Sequence, residues 1–169
     1  SVRGQETITR VRQKAQAALQ AGAYEQASLY LEELVSRLRE SYDRDTRTML
    51  EGIHFNLGLC YFLSGRFAET EKQFRRYVQL YPRERNVVPA EVFTADSLRY
   101  RGEFDRAIRE YERIREGRRL NADWLTDVLC SLVRCHLAQD DWESAMPLLE
   151  KAYRHSPDRR RAHWAATLL

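Results

Sequence analysis

Residues 64–70 read SGRFAET, and three other segments repeat this arrangement: AGAYEQA at 21–27, RGEFDRA at 101–107 and QDDWESA at 139–145. The second residue of each segment is Gly22, Gly65, Gly102 or Asp140, and successive ones lie 43, 37 and 38 residues apart. An aromatic residue follows two positions later, and a small residue three positions after that. Such a period indicates a repeat architecture, in which each unit buries its apolar face against its neighbours.

Each of these segments separates two stretches whose apolar residues recur every three or four positions. In the second unit, Leu57 and Tyr61 precede the turn, and Phe67 and Phe74 follow it. This spacing predicts a helix on both sides of the turn. Pro147 is the exception, because proline inside a helix removes a backbone hydrogen bond. We therefore expect the last helix either to kink there or to begin later.

The segment at residues 52–82, GIHFNLGLCYFLSGRFAETEKQFRRYVQLYP, resembles the tetratricopeptide repeat. The residues that carry the resemblance are His54, Leu57, Gly58, Tyr61, Gly65, Phe67, Thr70, Phe74, Tyr77 and Pro82. The other three units lack the Leu-Gly pair. The resemblance covers about residues 5–158. It implies an all-α fold, a right-handed α-solenoid of four helix-turn-helix hairpins at about 8–42, 46–84, 86–118 and 121–157, followed by a capping or truncated helix at 158–169.

Composition and motifs argue against several classes of function. The net charge is only +3, from 28 basic and 25 acidic residues, whereas nucleic-acid binding depends on neutralising phosphates. The arginines of residues 99–119 alternate with acidic residues, which predicts an ion-paired solvated face. The sequence contains no GxGxxG, GxxxxGK[ST], HExxH or GxSxG motif. We expect no nucleic-acid partner, no catalytic activity and no cofactor.

The cysteines and histidines do not form a recognisable metal site. Cys130 and Cys135 are five residues apart, so a helix separates them by about 140° around its axis. His136 follows Cys135, and the sequence contains no CxxC pair. We therefore interpret these residues as part of the helix packing and expect no metal.

The resemblance also implies where a partner binds, because the first helix of each hairpin in such proteins lines a concave groove that holds a peptide or protein segment. Carrying those positions over gives a predicted groove with an apolar centre and polar ends, as in many protein interfaces. Its residues are Arg12, Gln16, Phe55, Asn56, Leu59, Phe62, Phe93, Asp96, Arg99, Asp127 and Arg134. One alternative is that Phe55, Leu59 and Phe62 face a neighbouring helix instead.

A second function also stays open. The chain could be a structural scaffold or assembly subunit of an envelope or secretion complex, acting through self-association (a homo-oligomer) or its convex face. No apolar run approaches the ~20 residues that span a bilayer, so we expect no membrane insertion. The chain begins at Ser1, and both ends look trimmed, which favours a piece of a larger bacterial protein. The cytoplasm is favoured, with a periplasmic or membrane-tethered parent as the alternative.

Overall fold

The computed structural model describes residues 2–39 and 44–156, with side chains from Thr7 onward. The helices are α1 (Val2–Gln20), α2 (Tyr24–Leu38), α3 (Arg44–Leu63), α4 (Phe67–Leu80), α5 (Val87–Tyr100), α6 (Phe104–Gly117), α7 (Ala122–Leu137) and α8 (Trp142–His155). No strand occurs in this part of the chain, so the predicted all-α class is confirmed. The expected helix at 158–169 lies outside the described residues. None of the described helices is both long and apolar enough to cross a membrane.

The helices belong to two compact units, Ser1–Phe93 and Thr94–Leu169, and the boundary falls inside α5. In the first unit α1 packs against α2, α2 against α3, and α3 against α4. In the second unit α6 packs against α7, and α7 against α8. In each of these pairs the two helices follow one another in the chain, as the first, second and fourth predicted hairpins require.

The four repeated segments form the same turn. Gly22, Gly65 and Gly102 have φ of 70°, 76° and 75°, and Asp140 has φ of 59°. At Gly65 the Arg66 N–H donates to the Tyr61 carbonyl at 2.8 Å, and the Gly65 N–H donates to the Phe62 carbonyl at 3.0 Å. This pair of bonds closes a helix in the left-handed conformation that glycine adopts without steric cost. Asp140, which stands where the other three units have glycine, therefore adopts the same conformation and preserves the turn.

Small residues let the two helices of a hairpin approach closely. Ala27, Thr70 and Ala107 are fully buried, three positions after the first residue of α2, α4 and α6. Gly58 of α3 lies against Phe74 of α4 so closely that an added Cβ would fall 2.6–2.9 Å from three ring carbons. The close packing of α3 against α4 therefore explains why glycine follows Leu57 in the second unit.

Pro147 lies inside α8, which begins at Trp142 as the repeat predicts. The expectation of a later start is therefore wrong. Proline removes one hydrogen bond from the second turn of this helix. The Asp141 side chain accepts a hydrogen bond from the Ser144 N–H at 3.1 Å, which stabilises the same end of α8.

Candidate functional site

The residues predicted to form the groove occupy repeated positions on the first helices of the hairpins. Gln16, Leu59, Asp96 and Arg134 each lie six residues before the positive-φ turn residue of their hairpin. Phe62 and Arg99 lie three residues before this turn residue, and Asn56 and Phe93 lie nine residues before it. Arg12 and Phe55 lie ten residues before it, and Asp127 lies thirteen residues before it. The first unit holds those up to Phe93, and the second unit holds the remaining four.

In the first unit, the exposed side of α3 continues a surface that begins on α1. Arg12 and Gln16 of α1 are exposed, and the Arg12 Nη1 lies 4.0 Å from the Met49 Sδ of α3. Asn56 and Leu59 of α3 are half-buried. Because Met49 and Asn56 are seven residues apart, two helical turns place them on one face. Arg12 of α1 thus contacts the face of α3 that carries Asn56.

Leu63 belongs to the same face, although it is not among the residues predicted for the groove. It follows Leu59 by four residues and Asn56 by seven, and it is 53% exposed. It also lines an open cavity of about 440 Å³ with Tyr24 and Gln26 of the first hairpin. The spacing from Leu59 was the available signal, but Leu63 is the last residue of α3, where burial is hard to predict.

The aromatic rings at the centre of the predicted groove are partly buried and contact neighbouring helices. The Phe55 ring lies 5.5 Å from the rings of both Phe74 and Tyr77. The Phe62 ring lies 4.9 Å from the Phe93 ring in an edge-on arrangement. Leu59 likewise packs against the buried cluster of Phe74 and Tyr77. These side chains therefore stabilise the helix packing and leave only part of their area at the surface.

Two of the four predicted residues of the second unit, Asp96 and Arg99, form a half-buried polar network with Tyr111. An Arg99 Nη2 donates to the Asp96 Oδ1 at 2.9 Å, and the Tyr111 hydroxyl donates to the same oxygen at 2.7 Å. The Arg99 guanidinium also lies 4.3 Å from the centre of the Tyr100 ring. Burial, followed by the charge of Asp96, raises the pKa of Tyr111, so its hydroxyl stays a donor. Asp96 and Arg99 are thus half-buried and paired with each other, whereas Asp127 and Arg134 are exposed on α7.

Burial keeps three titratable side chains of the described interior, Cys60, Cys135 and His54, in their neutral forms at neutral pH. Burial raises the pKa of Cys60 and of Cys135 to about 11, which keeps both thiols protonated at neutral pH. Burial, with the charge of Arg76, lowers the pKa of His54 to about 4, and its ring lies 3.1 Å from the Gln73 amide. In the described ranges no three His, Cys, Asp or Glu residues cluster as metal ligands.

The arginine-rich stretch of α6 is ion-paired, as its mixed sequence predicts. Arg113 pairs with Glu110 at 2.9 Å, and Arg115 pairs with Glu112 at 2.5 Å. Exposed pairs of this kind stabilise a helix only slightly. This face of α6 is therefore a solvated one with balanced charge.

Comparison with known proteins supports the fold assignment. A family model described as Tetratricopeptide repeat matches residues 12–84. Among solved structures, "MamA RS-1 ArsTM double mutant" has a TM-score of 0.68 at 16% identity, over 95% of this chain and 90% of that one. Putative kinesin light chain repeats from Podospora anserina score 0.66 at 16% identity, over 95% and 88%. PilF from Pseudomonas aeruginosa scores 0.59 at 18% identity, over 96% and 67%.

These likenesses to solved structures show the fold, an all-α solenoid of helical hairpins. A search of curated proteins found no significant sequence match. Residues 12–84 match the tetratricopeptide-repeat family, and the solved structures share the solenoid fold over most of the chain.

Proposed function

We propose that this protein is a non-catalytic interaction module that binds a peptide or protein segment on the α1–α3 surface of its first unit. Repeats of this family in general present extended surfaces to protein partners. The observation that carries the proposal is the exposed side of α3, where Asn56, Leu59 and the 53% exposed Leu63 follow one another along one face. Arg12 and Gln16 supply its polar edge.

The chemistry of this surface suits a segment with two or three apolar residues beside polar groups. The apolar residues would cover Leu63 and the exposed parts of Leu59 and Phe62. Covering them contributes about 3 kcal/mol, because each side chain is only partly available. Arg12 and the amides of Gln16 and Asn56 would meet acceptor groups of the partner. Association costs offset much of this gain, so a short peptide should bind with a Kd of about 10 μM or weaker.

A matched pair of leucine variants tests the proposal. Leu63 closes α3 and is 53% exposed, and Leu80 closes α4 and is 43% exposed. Peptides selected from a displayed random library on the full chain would be titrated against the wild type, Leu63→Asp and Leu80→Asp. We expect Leu63→Asp to weaken binding about tenfold and Leu80→Asp to leave it unchanged. An aspartate at position 63 loses the apolar contact of the leucine and brings a charge that is costly to bury under the partner.

Circular dichroism and the thermal midpoint of each variant serve as the folding control. Equal affinity of both variants for every selected peptide would refute the α1–α3 site. Loss of binding by Leu80→Asp alone would instead indicate that the partner binds on α4, the second helix of its hairpin. That result would favour the scaffold alternative, in which the convex face is used.

A further inference from the structure

Another cavity of the first unit lies where α3 begins and where the chain leaves α4. It has a volume of about 320 Å³ and is lined by Arg44, Arg47, Thr48, Glu51, Tyr81 and Glu84. Two of these residues are cationic and two are anionic. Small-molecule sites in proteins start at about 300 Å³, so this cavity suits a small ligand. Since a water molecule takes about 30 Å³ of liquid volume, the ligand can have about ten non-hydrogen atoms.

The Glu51 carboxylate is held in place by two neutral donors. The Tyr77 hydroxyl and the Asn86 side-chain amide both donate to its Oε1, the amide at 3.2 Å. Arg47 lies four residues earlier in α3, a spacing at which an ion pair can form, yet Glu51 is directed to Tyr77 and Asn86 instead. The two opposite charges thus stay separate, and the Glu51 Oε2 accepts no hydrogen bond from the residues that the structure describes.

The other charged groups of the cavity are likewise open to a ligand. Arg44, Arg47 and Glu84 are exposed, and none of them has an ion-pair partner among the side chains described. Elsewhere in the same hairpin, Arg66 and Arg75 each pair with a glutamate three or four residues away, at 3.0 and 3.2 Å. The arginines at the cavity therefore keep their hydrogen-bond donors available.

Tyr81 supplies a buried hydroxyl. Tyr81 is only 9% exposed, and its ring lies 5.2 Å from the Tyr77 ring and 5.9 Å from the His54 ring. Its hydroxyl has no hydrogen-bond partner within the described ranges, although a buried hydroxyl without one is costly. Burial, followed by the charge of Glu51, raises the pKa of Tyr81, so the group keeps its proton at neutral pH. A ligand in the cavity would therefore find a fixed donor near Arg47.

The lining disfavours ligands of a single charge. An anion would face Glu51 and Glu84, and a cation would face Arg44 and Arg47, so each would meet like charges at short range. An α-amino acid carries a carboxylate and an ammonium group on the same carbon and has the size that the cavity allows. A guanidinium group binds a carboxylate through paired N–H donors, and an ammonium group donates to a carboxylate. The Cβ atoms of Arg47 and Glu51 lie about 5–6 Å apart on the helix, so both can meet one such molecule.

We propose that this cavity binds a free α-amino acid. Arg44 and Arg47 hold its carboxylate, and Glu51 and Glu84 hold its ammonium group. The Tyr81 hydroxyl donates to the carboxylate. The cavity lies about 24 Å along α3 from Leu63, so this site goes beyond the proposed peptide binding and does not depend on it.

NMR spectra of the ¹⁵N-labelled full chain, titrated with each of the common L-amino acids, test the proposal. We expect at least one of them to shift the backbone signals of residues 44–51 and 81–86. The variants are Arg47→Gln and Glu84→Gln, with Arg85→Gln as a control, because Arg85 is exposed beside Glu84 but does not line the cavity. Arg47→Gln and Glu84→Gln should each weaken binding about tenfold, since each removes a charge-assisted hydrogen bond, and Arg85→Gln should change it less than about twofold.

Two derivatives of the amino acid that binds best assign the charges. The N-acetyl form lacks the ammonium group and the carboxamide form lacks the carboxylate, so each should bind the wild type about tenfold more weakly. Glu84→Gln should then have little further effect on the N-acetyl form, and Arg47→Gln little on the carboxamide, because the interacting group is already absent. Tyr81→Phe removes only the hydroxyl and should weaken binding of the unmodified amino acid several-fold.

Several results would overturn the proposal. One is that no free amino acid shifts the signals of residues 44–51 and 81–86. Another is that the N-acetyl form, or acetate alone, binds as well as the amino acid, since the cavity would then be an anion site. A third is that Arg85→Gln weakens binding as much as Arg47→Gln, which would indicate a nonspecific effect of charge. Circular dichroism serves as the folding control, and Arg47 and Glu84 are exposed, so neither change disturbs the packing.

Discussion

A single methyl group added at Gly58 tests the closest helix contact of the first unit. A Cβ at this position would lie 2.6–2.9 Å from three carbons of the Phe74 ring, well inside van der Waals contact. The ring has little room to retreat, because it is fully buried and lies 5.5 Å from the rings of both Phe55 and Phe93. Gly58→Ala therefore forces α3 and α4 apart or displaces an aromatic cluster.

The expected size of this effect follows from two opposing contributions. Replacing glycine by alanine inside a helix stabilises it by about 1 kcal/mol. Overpacking a buried site costs about 1–3 kcal/mol. Gly52 lies in the same helix, and an added Cβ there meets no atom within 4 Å, so Gly52→Ala shows the first contribution alone. We expect Gly52→Ala to raise the free energy of unfolding by about 1 kcal/mol and Gly58→Ala to lower it by about 1 kcal/mol.

Urea unfolding followed by circular dichroism measures both values. Phe74→Leu should remove part of the clash, so Gly58→Ala should cost about 1 kcal/mol less in that background than in the wild type. Equal stabilisation by Gly52→Ala and Gly58→Ala would refute the close approach of α3 and α4. Absence of coupling between Gly58 and Phe74 would show that another contact is responsible.

Three further changes have defined outcomes. Gly65→Ala should destabilise the chain by about 1–2 kcal/mol in urea unfolding, because its φ of 76° disfavours any side chain; a neutral result would contradict the turn. Burial lowers the pKa of His54 to about 4, so below pH 6.5 the unfolded chain binds more protons than the folded chain. The free energy of unfolding should therefore fall between pH 6.5 and pH 4, by at most about 3 kcal/mol. His54→Gln should flatten this pH dependence. An unchanged slope would refute the buried neutral ring. Asn121 accepts a hydrogen bond from the Trp124 N–H at 2.8 Å, so Asn121→Ala should lower the thermal stability by about 1 kcal/mol, and an unaltered midpoint would contradict the cap.

The turns were predictable from the sequence because their requirement is local. A left-handed residue after a helix needs glycine or a tolerant substitute, so Gly65 and Asp140 identified equivalent turns without any tertiary information. The small residue five positions after each turn residue was equally informative, since Ala107 and its counterparts are all buried. Fold class and hairpin positions follow from these two requirements.

The surface was less predictable because it depends on neighbouring helices. Sequence position alone placed Asp96 and Arg99 at a polar end of the predicted groove, but it did not indicate that Tyr111, from the following helix, donates to Asp96 or that both residues are half-buried. Phe62 is half covered by Phe93 for the same reason. Leu63 was missed because the exposure of a residue at a helix end depends on the adjoining turn.

We propose that a partner binds on the side of α3 that carries Leu59 and Leu63. Methyl NMR spectra of the full chain, titrated with a selected peptide, would locate the bound segment. We expect the methyl signals of Leu59 and Leu63 to shift on binding, while those of Leu29 and Leu80, exposed on α2 and α4, keep their positions. Shifts at Leu29 or Leu80 without shifts at Leu63 would contradict it.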